Sequence, residues 1–161
     1  MKRVFIARHT TKEREVVNEY DYDTELTAQG IEKAVKMAKY LSSKDPKIDL
    51  IVASPAVRTR QTAEIFAKEL DYTKTIMLNE VLYMAFVNEL IETITYTYDT
   101  VDTMLIVGHN PSLTALAVTL VGFKEKFEEG ALMQIDFDCD SWIDIDKTNA
   151  KLISYTKPSD V

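Results

Sequence analysis

The sequence predicts an α/β fold, a three-layer αβα sandwich with a mainly parallel sheet and antiparallel strands at its C-terminal edge. Three observations carry this expectation. Short apolar runs alternate with stretches of helical period. Two of those runs end directly in a histidine, and the chain has only two histidines. The last third replaces the alternation with short apolar runs separated by turn-forming residues. Uninterrupted apolar runs mark strands buried on both faces, and strand–helix alternation implies right-handed crossovers between parallel strands.

Taken in order, residues 3–7 read as the first strand, followed by a polar loop to about Asp23. Thr27 is placed as an N-cap, its hydroxyl available to the first free amides of a helix. Ile31, Ala34, Val35, Ala38 and Leu41 then recur at helical spacing, so residues 28–43 form an amphipathic helix. Asp45-Pro46 breaks the chain. Leu50-Ile51-Val52-Ala53 is a second buried strand, and Ser54-Pro55 opens a helix with the proline near its first turn. Ala63, Phe66, Ala67 and Leu70 form that helix's buried stripe. Thr75 to Leu78 reads as a shorter strand, and Leu82 to about Tyr98 as irregular and then helical. Met104 to Val107 is the next strand, and Pro111 starts a helix carrying Leu113, Leu116, Ala117 and Leu120. Leu132 to Phe137, Trp142 to Ile145 and Lys151 to Tyr155 read as closing strands. The acidic stretch from Asp136 to Asp146 reads as a solvated sheet edge.

The length of 161 residues fits one domain spanning 1–161, enough for a single three-layer core. A net charge of −7 argues against nucleic acid as a partner, so any anion must be held by a local pocket. The single cysteine, Cys139, excludes an internal disulfide and a multi-thiolate metal centre. No secretory leader or membrane-length apolar run is visible, so a cytoplasmic location without membrane association is expected.

The chemistry sits at strand ends, where open α/β sheets bind ligands. Arg8-His9 leaves the first strand. The guanidinium presents a planar fork suited to phosphate oxygens, and nearby positive charge keeps an imidazole neutral, hence nucleophilic. Ser54 to Ala63 spans a strand end and a helix N-terminus, where backbone amides favour anions. Arg58 and Arg60 are two apart and cannot share a helix face, so only one points inward. Gly108-His109-Asn110 leaves the fourth strand in the same manner as Arg8-His9. By pattern alone, each of these segments is also compatible with a solvated loop; their shared topology is what favours a site.

Arg8-His9, Ser54-x3-Arg58-x2-Gln61-Thr62-Ala63 and Gly108-His109-Asn110, in that order, resemble the histidine phosphatase superfamily, which includes the phosphoglycerate mutases. Leu26-Thr27-Ala28-Gln29-Gly30 resembles the family's segment opening the first helix. The short length, Ser54-Pro55, His109-Asn110-Pro111 and the Trp142 tail resemble the SixA-type phosphohistidine phosphatase branch. The resemblance covers almost the whole chain. It implies that His9 is the nucleophile that becomes phosphorylated, and that Arg8, Arg58 and His109 surround the phosphoryl oxygens. Arg60 does not match the pocket arginine. The family usually carries glycine after the first Arg-His pair, where Thr10 stands here; threonine adopts left-handed backbone angles only at a cost, which puts the path of this loop in question.

The resemblance also offers Glu80, in Asn79-Glu80-Val81-Leu82-Tyr83, as a general acid, although the SixA-type branch is thought to lack one. The expected activity is a phosphatase with a phosphohistidine intermediate and no cofactor. Arginines take the place of a metal in stabilising the transferring charge. Its partner would be a phosphorylated small molecule or a phosphohistidine protein. A mutase-like phosphotransferase and a non-catalytic phosphate-binding module are the alternatives. The segments Thr11 to Asp23 and Leu82 to Asn88 are expected at the rim, with Tyr20, Tyr22 and Tyr83 covering apolar surface.

Overall fold

The computed structural model describes residues 1–13 and 21–161. Six strands, β1 (Lys2–Arg8), β2 (Leu50–Ala53), β3 (Met77–Leu78), β4 (Thr103–Gly108), β5 (Leu132–Phe137) and β6 (Ala150–Thr156), form one sheet. Their order is β3-β2-β4-β1-β5-β6. β1, β4, β2 and β3 pair in parallel, while β5 and β6 add antiparallel. The helices are α1 (Ala28–Ser43), α2 (Val57–Glu69), α3 (Val81–Met84), α4 (Val87–Thr95) and α5 (Ser112–Val121).

Both faces of the sheet are covered, which is why residues 4–7 of β1 and 104–107 of β4 are continuous apolar runs rather than alternating ones. Phe5, Ala7, Ile51, Ala53, Leu105 and Val107 pack against Met37, Ala38 and Leu41 of α1 and Ala63, Phe66 and Ala67 of α2. On the opposite face Val4, Ile6, Val52, Met104 and Ile106 meet Leu90 and Ile94 of α4 and Leu113, Leu116 and Leu120 of α5. Among the described residues no helix is long and apolar enough to cross a membrane.

The expected elements agree with this architecture except in the following places. Residues 142–145 are not a strand but a short 3-10 turn, Trp142–Asp144. The Trp142 backbone amide donates to Asp99 Oδ1 and the indole nitrogen to the Val101 carbonyl, 2.6 Å away. That draws the ring fully into the core and leaves Ile143 exposed. Trp142 and Ile145 are both buried, and residues three apart share a face in 3-10 geometry, whereas in a strand they would lie on opposite faces. β3 is reduced to two residues, both about half-exposed at the sheet edge. Residues 82–98 divide into α3 and α4, separated by Ala85 and Phe86. Pro55 and Pro111 both lie just ahead of their helices rather than within them. In the acidic C-terminal stretch Asp136 is a paired residue: Arg3 donates to it through Nε (2.7 Å) and Nη2 (2.9 Å).

Thr27 caps α1 as expected, its hydroxyl accepting from the Gly30 amide at 2.9 Å. Gly30 has a second role that its helical position does not advertise. A Cβ built there would lie 2.2 Å from the Thr11 carbonyl oxygen, so its absence lets the loop after β1 rest directly on α1. The Thr27 amide, which donates to the same carbonyl, keeps that loop in place. Glycine-to-alanine changes inside helices ordinarily stabilise. Here Gly30→Ala is expected to lower the thermal midpoint and to cost about 1–3 kcal/mol in chemical denaturation, the range for overpacking. An unchanged or raised midpoint would show that the loop does not need this contact.

Candidate functional site

The register of the central strands builds the site. β1 and β4 pair with Arg8 opposite Gly108, so the next residue on each strand is a histidine. The His9 amide donates to the Gly108 carbonyl (3.2 Å), and the two imidazole centroids lie 5.3 Å apart. β2 ends one register step earlier, and the Ser54 amide donates to the Val107 carbonyl. This delivers Ser54 beneath His109, whose Nε2 is 2.7 Å from the serine oxygen. His9, His109, Ser54 and Arg58 are all buried.

His9 has a defined tautomer. Its Nδ1 is 2.7 Å from the Thr10 carbonyl, which can only accept, so Nδ1 carries the proton and Nε2 the lone pair. Burial pushes its pKa down to about 3, against the bond to Thr10 and with Arg58, Arg8 and Lys12 lowering it further. His109 is likewise at about 3, chiefly through burial, then through Arg58 and His9. Two neutral imidazoles thus sit among guanidinium groups. Ser54 Oγ accepts from the Ala56 amide, and its hydrogen is used only if it donates to His109 Nε2. That assignment places the His109 proton on Nδ1.

Arg58, in the first turn of α2, donates through Nη1 to the Asp21 carbonyl (2.6 Å) and through Nη2 to Asp21 Oδ2 (2.8 Å). Arg8 donates through Nη1 to the Phe127 carbonyl and also lines a concavity with Asn110, Pro111, Thr114 and Lys126. Burial draws the Arg8 guanidinium below its ordinary value, opposed by Glu129, yet from so high a start that it stays a cation. Five buried side-chain nitrogens or oxygens have no hydrogen-bond partner among the described residues, and three of them are Arg8 Nε, Arg58 Nε and His109 Nδ1. Buried polar atoms are nearly always paired, so three orphans on these three residues point to an acceptor that completes the site. The other two are Thr24 Oγ1 and Arg60 Nε.

Four predicted residues therefore lie together: His9 and His109 by direct ring contact, Arg58 linked to His109 through Asp21 and Tyr83, and Arg8 as the residue before His9. Glu80 stands apart. Its side chain is exposed at the head of α3 with no hydrogen bond among the described residues, while its carbonyl accepts from the Tyr83 amide. Thr10 avoids left-handed angles: among the described residues the non-glycine positions with positive φ are Asp45 and Asp71. Its hydroxyl donates to the Gly30 carbonyl at 2.6 Å, so the residue pins the loop to α1. Tyr83 is more than a cover for apolar surface. Its ring meets His109 edge-on at 5.5 Å and Tyr22 at 5.3 Å, and its hydroxyl donates to Asp21. Tyr20 lies outside the described residues. Sequence reasoning missed Asp21 and Ser54; Ser54 had a signal in its place at a strand exit, whereas Asp21 sits in a polar loop that offers none. A separate apolar cavity of about 350 Å³, between α4 and the β2/β4 face, is lined by no Asp, Glu, Lys, Arg or His, so it is unsuited to an oxyanion.

The depressed histidine values have a consequence for stability. In the unfolded chain both imidazoles take up a proton near pH 6.5, while in the folded state they do so only at about 3. Between those values the unfolded chain binds more protons, so stability falls as pH falls, by roughly 1.4 kcal/mol per pH unit for each histidine. Denaturant titrations between about pH 6.5 and about pH 4 are expected to show this slope, and a His9→Asn, His109→Asn double variant to flatten it. A level wild-type profile over that window would mean the imidazoles are charged in the fold.

The profile of the Histidine phosphatase superfamily (branch 1) matches residues 4–100. An uncharacterised protein of Mycobacterium tuberculosis, Rv1276c, is 28% identical over 149 residues, covering 86% of this chain and 91% of its own. Among solved structures, one from Agrobacterium tumefaciens, named for the phosphohistidine phosphatase SixA, superposes with a TM-score of 0.85 at 23% identity over 98% of both chains. The protein histidine phosphatase SixA complexed with tungstate superposes with a TM-score of 0.83 at 21% identity, over 98% of this chain and 97% of that one. These two likenesses establish a shared fold. The profile match spans more than half of the chain, and the chain belongs to branch 1 of the histidine phosphatase superfamily.

Proposed function

We propose that this chain is a metal-independent phosphatase that takes a phosphomonoester or a protein phosphohistidine through a phosphohistidine intermediate on His9. One observation carries the reading: each of the three groups expected to surround a phosphoryl group has a buried, unpaired nitrogen, and the expected nucleophile is a neutral imidazole. Phosphoryl oxygens would accept from Arg8 Nε, Arg58 Nε and His109 Nδ1. The tungstate bound by a SixA of the same fold, an oxyanion of phosphate shape, is in keeping with it.

In this mechanism His9 Nε2, carrying the lone pair, attacks phosphorus in line. The N–P bond forms as the bond from phosphorus to the leaving group breaks. Nδ1–H, held on the Thr10 carbonyl, keeps the ring oriented and shares the positive charge that develops on it. Arg8, Arg58 and His109 stabilise charge on the equatorial oxygens. Water then attacks the phosphohistidine, releasing phosphate and restoring neutral His9. Glu80 is the candidate to protonate the leaving group, but its exposed place at the head of α3 favours substrates that depart with little help. A phosphorylated imidazole of a partner protein is such a substrate, and an aryl phosphate is its small-molecule counterpart.

Rapid-quench experiments with a radiolabelled aryl phosphate are expected to trap acid-labile label on wild-type protein and none on His9→Ala, with turnover abolished. Arg8→Ala and Arg58→Ala are each expected to lose on the order of 100-fold in kcat/KM. Undiminished turnover by His9→Ala would end the assignment.

A further inference from the structure

Asp21 gathers more of the site than any other residue, although no element of the sheet delivers it. It lies in the short 3-10 turn Asp21–Asp23. Its carbonyl and Oδ2 together occupy both outer nitrogens of the Arg58 guanidinium, at 2.6 and 2.8 Å. The same Oδ2 accepts from the Tyr83 hydroxyl at 2.8 Å, and Oδ1 accepts from Lys12 Nζ at 3.0 Å. Three walls thus meet on one carboxylate: the loop after β1, the first turn of α2, and α3.

The geometry has a direct consequence for Arg58. With Nη1 and Nη2 each held by Asp21, the guanidinium plane cannot turn, and its unpaired Nε hydrogen is fixed in place. A planar fork gives up less freedom on binding an anion when it is already oriented. Tyr83 is held in the same way. Its hydroxyl on Asp21 sets the ring edge-on against His109, the imidazole that leans on Ser54.

We propose that Asp21 is a positioning residue of the phosphoryl pocket, clamping Arg58 toward the transferring group and Tyr83 against His109. The proposal rests on the phosphatase reading above. Asp21 does not touch the substrate; it acts through Arg58 and Tyr83. The bonds from Lys12, Tyr83 and Arg58 outweigh burial and hold the Asp21 carboxyl well below the usual carboxylate range, so the clamp is anionic throughout the neutral range.

The test is a double-mutant cycle on the full chain with an aryl phosphate as substrate and inorganic phosphate as competitive ligand. Asp21→Asn is expected to lower kcat/KM on the order of 100-fold, the scale of a misplaced catalytic contact, and to weaken inhibition by phosphate. In an Arg58→Ala background the same substitution is expected to cost only the several-fold share carried by Tyr83, since the main group it positions is gone. Equal losses in both backgrounds would overturn the proposal. Tighter phosphate inhibition by Asp21→Asn would overturn it too, by making the carboxylate a competitor for Arg58. Should Asp21→Asn fail to fold, Tyr83→Phe removes one hydroxyl only. A several-fold loss of kcat/KM at an unchanged thermal midpoint supports the clamp, and an undiminished kcat/KM overturns it. Wild-type protein that neither releases nor binds phosphate would sink the phosphatase reading and this proposal with it. An active wild type that loses activity in Arg58→Ala but not in Asp21→Asn would sink the proposal alone.

Discussion

The parallel pairing of β1 with β4 is the constraint on which the site depends. Residues opposite one another in a parallel ladder leave the sheet together, and here Arg8 faces Gly108. The following residues, His9 and His109, are a hundred positions apart in sequence and 5.3 Å apart as rings. A slip of one residue would send one imidazole to the opposite face. What prevents it is the core: Val4 and Ile6 are buried on one face, Phe5 and Ala7 on the other, and each set has its own covering helices. Packing far from the chemistry therefore sets the distance between the histidines.

Electrostatics does the rest. Burial is the largest cause keeping both imidazoles neutral, and the arginines and Lys12 reinforce it. The same accumulation of positive charge needs compensation, because buried cations without partners are costly. Asp21 supplies it at Arg58, and the carbonyl of Phe127 receives Arg8. Arg58 gives both outer nitrogens and Arg8 its Nη1 to the protein, and each leaves Nε unpaired. The fold thus tolerates a cationic pocket in a chain of net charge −7 by balancing it locally.

The loop after β1 shows how a departure from the family pattern is absorbed. Threonine at position 10 needs no left-handed backbone, and its hydroxyl takes the Gly30 carbonyl. Gly30 in turn leaves room for the Thr11 carbonyl. Loop and helix fit as a pair, and His9, which donates to the Thr10 carbonyl, inherits the rigidity. The sequence raised the question at Thr10 but held no means of answering it, since the answer lies in a contact across twenty positions.

Local signals made the main elements readable: the apolar runs of β1 and β4, the Thr27 cap and the stripe of α1 are all statements about neighbours in sequence. So was the arrival of both histidines at one edge, because strand ends and topology follow from the alternation of periods. Trp142 was misread as a strand residue because its conformation is decided by Asp99 and Val101, forty positions away. Asp21 was invisible for the same reason; nothing in a polar loop tells which of its carboxylates will meet an arginine, a tyrosine and a lysine. By itself the sequence determined the class of sheet, the succession of its main strands and helices and the arrival of both histidines at one edge, since these follow from short-range periodicity, while the choice of Arg58 over Arg60 came from the family resemblance. Only the tertiary structure decided which nitrogen of His9 holds the proton, how Arg58 is oriented and that Glu80 stands exposed, because each depends on distances between residues that chain order does not relate.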